Sequence, residues 1–341
     1  MNDYQPPFTL TSEIVSRVAE IGELVGRLAV QLDRDSQLRL RRINRIRSVA
    51  GSLAIEGNTL GEERITAILD GRRVIAPPRE IQEARNALAA YEQMGGWNPR
   101  READLLAAHR VLMRGLLDSA GAYRRGGVGV MAGQAVLHMA PPAGQVPRLM
   151  ADLFAWLART PDHPLIASSV FHYEFEFIHP FADGNGRMGR LWQTLLLSRW
   201  QPLFAHLPVE SLIHRHQEAY YRAIQVSTEG TDSAPFIGFM LDRIRDALLD
   251  TASPQVAPQV SPQVAALLRA FRGEMSREDL QAALGLADRK SFRQRYLLPA
   301  LESGWIEMTL ADKPHSRLQK YRLSERGRAL SATLGADALP P

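Results

Sequence analysis

Cysteine is absent from all 341 residues. That excludes disulfides, thiolate metal sites and thiol nucleophiles together, leaving histidine, carboxylate, hydroxyl, lysine and arginine groups for any catalysis. Long apolar runs are missing too, since no stretch approaches the ~18 residues that a membrane span needs. The opening MNDYQPPFTLTSEIV lacks a charged segment followed by an apolar one, so the expectation is a cytoplasmic chain with no membrane partner. What is present is ordinary for a globular protein: 45% hydrophobic and 23% charged residues, in a length that suits two or three domains of ~100 to 200 residues each. A net charge of +4 fits binding of phosphate or nucleic acid without requiring either.

Residues 11–75 read as helices. TSEIVSRVAEIGELVGRLAVQL spaces its apolar residues by three and four behind a Thr11-Ser12 cap, and Gly57-Asn58 is a helix stop. Helical patterning resumes from 79 to 118. GAYRRGGVGVMAGQAVLHMA, 121–140, has glycines, β-branched residues and no helical period, which predicts a hairpin ended by Pro141-Pro142. Helices follow to about 249, broken at FIHPFADGNGRMGR and at QPLFAHLPV. FHYEFEFI alternates aromatics at 171, 173, 175 and 177, which favours a strand, yet the same residues form i,i+4 pairs. The pattern alone leaves both open. PQVAPQVSPQV repeats Pro-Gln-Val three times, and proline at that density predicts a linker over 251–264. Beyond it three helices, the last running into a strand, and a second strand in KYRLSERGRAL suggest a winged helix.

The fourteen residues 177–190 gather the chemistry. Asp183-Gly184-Asn185-Gly186 is a turn whose Gly and Asn residues tolerate positive φ, so successive N–H groups can form an anion nest. The helical pattern of RMGRLWQTLLLSRW follows at once, placing that nest on a helix N-terminus. Arg187 and Arg190, three apart, share one face of the first turn and suit a polyphosphate. Asp183 offers the carboxylate that Mg²⁺ on a nucleotide takes from protein. His179, set at a helix end by Pro180, is a general base for a hydroxyl beside a bound phosphate. A plain turn or a calcium loop is the alternative for DGNG, and an EF-hand lacks its acidic spacing and terminal Glu.

HPFADGNGRMGR matches the signature of Fic-domain proteins, His-Pro-Phe-x-Asp-Gly-Asn-Gly-Arg-x-x-Arg, at every specified position, and the resemblance covers roughly residues 15–245. It implies a mainly α fold: a Fic-type helical bundle with a small β-hairpin flap, plus a C-terminal winged-helix domain. The division implied is an N-terminal helical region over 1–95, a Fic core over 96–250, the linker, and a winged-helix module over 265–341. The resemblance also makes FHYEFEFI a helix with Phe181 anchoring the loop. The activity implied is transfer of AMP from ATP to a Ser, Thr or Tyr hydroxyl of a protein substrate, the chain itself being one candidate, with release of pyrophosphate. His179 would be the base and Asp183 the ligand of Mg²⁺ bridging the α- and β-phosphates. Gly184, Asn185 and Gly186 would bind phosphate oxygens, Arg187 the β-phosphate and Arg190 the γ-phosphate. Phosphorylating relatives carry lysine at the position of Gly186, so glycine there favours AMP transfer. Tyr220-Tyr221 resembles an aromatic pair lining the adenine side, with core packing as the alternative, and Thr228 stands where the family has asparagine. Val128, Gly129, Val130 and Met131 would present a flap edge that docks the target by strand addition.

SLAIEGN, 52–58, resembles the family's inhibitory motif, Ser/Thr-x-x-x-Glu-Gly/Asn, through Ser52, Glu56 and Gly57. Glu56 would then pair with Arg190 in the γ-phosphate's place, an attraction of about 4 kcal/mol at ~4 Å and an effective dielectric of ~20, before desolvation. The same Glu could instead position a water that removes AMP. From 265 to 330 there are thirteen Lys/Arg against eight Asp/Glu. A basic winged helix can bind DNA, here through DRKSFRQRY with Arg289, Lys290, Arg293 and Arg295, or can serve as a homodimerisation or target-docking module. The second functional class is accordingly a DNA-binding regulator that uses the Fic domain as a nucleotide sensor. An intact catalytic histidine favours the transferase.

Overall fold

The computed structural model describes residues 4–331 except 32–33, 133–134, 253–260, 287, 311–315, 317, 326 and 329, without the side chains of 29–40, 130–138, 252 and 262. It separates into two compact units, Met1–Ala252 and Ser253–Pro341. The first is helical: α1 (Ser12–Gln31), α2 (Arg34–Ile55), α3 (Glu62–Leu69), α4 (Pro78–Gln93), α5 (Glu102–Leu112), a ribbon of β1 (Gly129–Ala132) and β2 (Ala135–Met139), then α6 (Val146–Arg159), α7 (Pro164–Ile178), α8 (Asn185–Trp200), α9 (Val209–Arg215), α10 (Gln217–Gly230) and α11 (Ala234–Ala252). α7 and α8 form the central pair. α6 and α11 pack on α7, α2 on α8 and α9, and α1 on α11, so the N-terminal helices share one core with the rest.

Every residue of α7 from Leu165 to Glu176 is buried. A helix enclosed on all sides has no polar face to mark its 3.6-residue period, which is why the aromatic alternation resembles a strand. Phe171 and Phe175 are wholly enclosed and stack 6.2 Å apart, as an i,i+4 pair should. α2 stops where its Gly-Asn pair predicts: Gly57 takes φ +85°, and the N–H of Asn58 returns to Leu53 at 3.1 Å. Gly51 lets α2 reach α9, because a Cβ there would come within 2.7 Å of the Ser211 Cα. The pattern to 118 overruns the helix, for α5 ends at Leu112 and Gly115 turns the chain at φ +70°. QPLFAHLPV holds a short 3₁₀ helix, Pro202–His206.

The second unit contains α12 (Pro262–Ala270), β3 (Met275–Ser276), α13 (Arg277–Ala283), α14 (Arg289–Phe292), one π turn at Arg293–Leu297, α15 (Leu298–Glu302), β4 (Ile306–Met308) and β5 (Lys320–Leu323). β5 lies between β3 and β4, antiparallel to both. Leu267, Leu268, Leu280, Phe292, Trp305 and Ile306 form its core. Sequence patterning missed β3, two residues long and followed at once by the Ser276/Asp279 capping box of α13. Both ends of the expected linker are helical: α11 continues to Ala252, and Pro262 opens α12, where its missing N–H has no partner to lose. Residues 253–260 of that repeat and the tail 332–341 lie outside the described residues.

Candidate active site

His179 ends α7 in the left-handed region, φ 49° and ψ 61°. That conformation costs a non-glycine residue roughly 1–2 kcal/mol, so its surroundings must hold it. Arg124 does so from the base of the β1–β2 ribbon. Its guanidinium is buried and donates to the carbonyls of His179 at 2.7 Å and Ile178 at 3.3 Å, while its N–H donates to Pro180 at 2.9 Å. The Ile178 and His179 carbonyls close the C-terminal end of α7, where no helical N–H can reach them. The His179 ring places Nδ1 3.3 Å from the carbonyl of Glu176. An Nδ1–H donated there leaves the lone pair, and the base function, on Nε2.

The loop that follows is locked from inside. Phe181 is fully buried and stacks on His109 at 3.6 Å with the rings 3° from parallel. The Asn185 carboxamide closes on Phe181 twice, accepting from its N–H at 2.8 Å and donating to its carbonyl at 2.9 Å. His109 accepts from the Gly121 N–H at 2.8 Å, so its Nε2–H donates to the Asp183 carbonyl at 3.0 Å. Burial pushes this imidazole down to about 4 and keeps it neutral. Gly184 caps α8 at φ +85°, with no room for a Cβ beside the Met113 sulfur, 2.7 Å away. The first N–H groups of α8, from Asn185, Gly186 and Arg187, form the anion-binding end. The Asn185 side chain is therefore committed to loop shape, and its backbone is the part placed to meet a phosphate.

The charged residues form two clusters. Arg187, almost wholly buried, reaches Asp183 at 2.9 Å and Glu83 at 3.4 Å, and its Nε has no hydrogen-bond partner. Arg79 of α4 meets the other Asp183 oxygen at 3.1 Å and Glu83 at 3.3 Å. Arg190 forms the second cluster: it donates to the Glu56 carboxylate at 2.7 Å, the Ser52 hydroxyl at 3.1 Å and the Ser52 carbonyl at 3.0 Å. Gly186 lies directly beneath, where a Cβ would collide with Glu56 Oε1 and come 3.0 Å from Arg190 Nη1. The structure thus joins Ser52, Glu56, Gly186 and Arg190, with the carboxylate filling the space that the glycine leaves.

Asp183 suits a nucleotide-borne magnesium ion. Its carboxylate is 38% exposed, a hard oxygen donor facing guanidiniums that also suit phosphate. Among the described residues no group of three His, Cys, Asp or Glu could hold a metal, so most ligands would come from nucleotide and water. The aromatic pair divides. Tyr220 is enclosed in the core, its hydroxyl 3.2 Å from His172, whereas Tyr221 is only partly covered. Thr228 bonds the Ile224 carbonyl and the Tyr173 hydroxyl, at the edge of a cavity of about 270 Å³ that also touches Ile178. Val128 accepts the Ala140 N–H at 3.2 Å, Gly129 begins β1, and the side chains of Val130 and Met131 lie outside the described residues. No sequence motif marks Arg79, Glu83, His109 or Arg124, whose places at the site come from contacts across the fold.

A buried helical pair jointed by this loop defines a Fic domain. The Fic/DOC family profile matches residues 99–197, and that of the "Filamentation induced by cAMP protein Fic-like, C-terminal domain" matches 262–324. A crystal structure of a Fic family protein from Desulfovibrio desulfuricans G20 is 56% identical, with a TM-score of 0.73 over 95% of this chain and 99% of that one. The chain belongs to the Fic family. Fic-1 from C. elegans, 22% identical with a TM-score of 0.59 over 70% of this chain and 74% of its own, shares the fold. Proteins named protein adenylyltransferase Fic from Aedes aegypti and Culex quinquefasciatus are 30% and 31% identical over 61% and 58% of this chain. The chain spans 42% and 39% of their respective lengths.

Proposed function

We propose that this chain is a protein adenylyltransferase held in check by Glu56. The observation that carries the reading is the single loop that sets His179 against the N-terminus of α8, with Arg190 in that helix's second turn already bound to a carboxylate. ATP would lay its phosphates on the N–H groups of Asn185 and Gly186, with Arg187 on the β-phosphate and Arg190 on the γ-phosphate. Mg²⁺, held by Asp183, would neutralise charge on the phosphates of the bound nucleotide. His179 Nε2 takes the proton of a target Ser, Thr or Tyr hydroxyl, its oxygen bonds the α-phosphorus, and pyrophosphate leaves. Glu56 occupies the γ-phosphate's partner, so ATP must displace it to bind productively. The names of the curated relatives support the same activity.

Labelled ATP tests this directly. Glu56→Gly should raise AMP incorporation into the chain or a target at least ~10-fold, the loss of one strong charge-assisted contact, and His179→Ala added to it should abolish the signal. Equal labelling of wild type and Glu56→Gly would refute the brake, and labelling that survives His179→Ala would refute the base.

Finer features follow from the same reading. Residues 128–131 offer a strand edge to the target segment. The second unit, with its helix, strand, three helices and two strands, suits a winged helix, and Arg289, Lys290, Arg293 and Arg295 are all exposed on one helical run. That placement favours contact with DNA phosphates over a homodimer interface. No described helix is long and apolar enough to cross a membrane, and a reaction that consumes ATP suits the cytoplasm.

A further inference from the structure

Glu176 is the least expected group beside the loop. It is 4% exposed, and its Oε1 has no hydrogen-bond partner. Buried polar atoms are nearly always paired, so an orphaned carboxyl oxygen needs a reason. Oε2 lies 3.8 Å from His179 Nδ1, and Oε1 lies 3.8 Å from His172 Nε2. His172 cannot satisfy it. Its Nδ1 is 2.6 Å from the Gln193 carbonyl oxygen, while the Gln193 amide donates to Ser169. Nδ1 therefore carries the hydrogen, and Nε2 is an acceptor that takes the Tyr220 O–H at 3.2 Å. Burial pushes His172 down to about 3, so it stays neutral.

The fold makes room for this carboxyl. A Cβ on Gly189 would stand 2.8 Å from Glu176 Oε1 and 2.7 Å from His172 Cδ2. Gly189 fills one of the two unspecified positions between the motif's arginines, yet only a glycine lets α8 approach so closely. The charged and titratable groups facing Glu176 are His172 and His179 from its own helix, Arg190 from α8, Glu56 from α2, and Tyr220 and Tyr221 from α10. Burial pushes the carboxyl up to about 8, against the pull of Arg190 and with a further push from Glu56. It therefore keeps its proton while His179 is neutral, and because an adjacent positive charge favours a carboxylate, the two titrate as a coupled pair in which a proton gained by His179 favours ionisation of Glu176.

We propose that Glu176 is a positioning residue for His179, holding the ring through its backbone carbonyl and stabilising, through its carboxylate, the imidazolium formed when His179 takes the target's proton. This rests on the adenylyl-transfer reading for its purpose. The proton passes from the target hydroxyl to Nε2 as the oxygen–phosphorus bond forms and the bond to the leaving pyrophosphate breaks. The positive charge spreads to Nδ1, 3.8 Å from Glu176. The pair thus works in the sense of the carboxylate–histidine couples of hydrolases, with both members on one helix, at i and i+3.

The test has two arms. NMR titration of His179 in the nucleotide-free Glu56→Gly protein reads its proton affinity without any catalysis. Adding Glu176→Gln should lower the His179 pKa by about one unit, a tenfold loss, and Glu176→Asp should restore part of it. An unchanged His179 titration in Glu176→Gln, with the fold intact by circular dichroism, overturns the proposal. In the second arm, AMP incorporation by Glu56→Gly/Glu176→Gln should show a lower kcat, an unchanged KM for ATP and a displaced acid limb of the pH profile. A KM effect with no change in the pH profile would also overturn it. Should Glu56→Gly transfer no AMP while the NMR shift is present, the adenylyl-transfer reading fails and the coupling of Glu176 to His179 stands.

Discussion

A carboxyl enclosed by two histidines and an arginine affects stability as well as chemistry. Glu176 ionises near 8 in the folded chain and near the ordinary carboxylate value of 4.5 when unfolded. Between those limits the unfolded state has lost the proton and the folded state retains it, so stability falls as pH rises and levels off above about 8. Glu176→Gln removes this term. Its melting temperature relative to wild type should climb from pH 5 to pH 8 and then hold, measured by calorimetry across that range. A flat difference would place the carboxyl's ionisation elsewhere. At this scale the motif residues were legible because they stand close together in the chain: His179, Asp183, Gly184, Gly186, Arg187 and Arg190 lie within twelve residues. Glu176 was not, for its meaning depends on α8 closing over it, and neither was Arg124, which acts on carbonyls 54 and 55 positions away.

Elements were legible where one face meets solvent. α1 and the Gly57-Asn58 stop of α2 could be read from spacing and capping chemistry, and β1–β2 from its glycines and β-branched residues. α7 could not be read from its period, because burial on all sides removes the contrast that a period needs. β3 was too short to carry a pattern. On the proposed reading, the end of α2 also sets the brake mechanically. Gly57 at φ +85° turns the chain immediately after Glu56, and an added Cβ there meets nothing within 4 Å. Gly57→Ala should therefore cost only the backbone penalty, about 1 kcal/mol or ~2–4 °C in melting temperature for a unit of this size. Basal AMP incorporation should rise as Glu56 loses its fixed approach to Arg190. Calorimetry and labelling of the same sample would check both, and a melting loss without extra labelling would separate the turn from the brake.

For the whole molecule, two cores divide the work. The repeat PQVAPQVSPQV marked the division, although proline density hid that Pro262 starts a helix. If the second unit meets duplex DNA through Arg289, Lys290, Arg293 and Arg295, binding should weaken steeply with salt, losing about 0.9 in log–log slope for each phosphate contact removed. Replacing all four by alanine should flatten the slope by up to about 3.6. Fluorescence anisotropy with random duplex over a salt series would measure it. An unaltered slope would direct attention to protein docking instead.

The pairing of Glu56 with Arg190 spans 134 positions, and that separation has a direction in time. A chain made from its N-terminus at ~5 to 20 residues per second presents Glu56 roughly 7 to 27 seconds before Arg190. The carboxylate is therefore synthesised ahead of the guanidinium that it holds. Each newly made molecule adds Arg190 with its carboxylate partner already in the same chain, and at no stage of synthesis does Arg190 stand in a chain without Glu56.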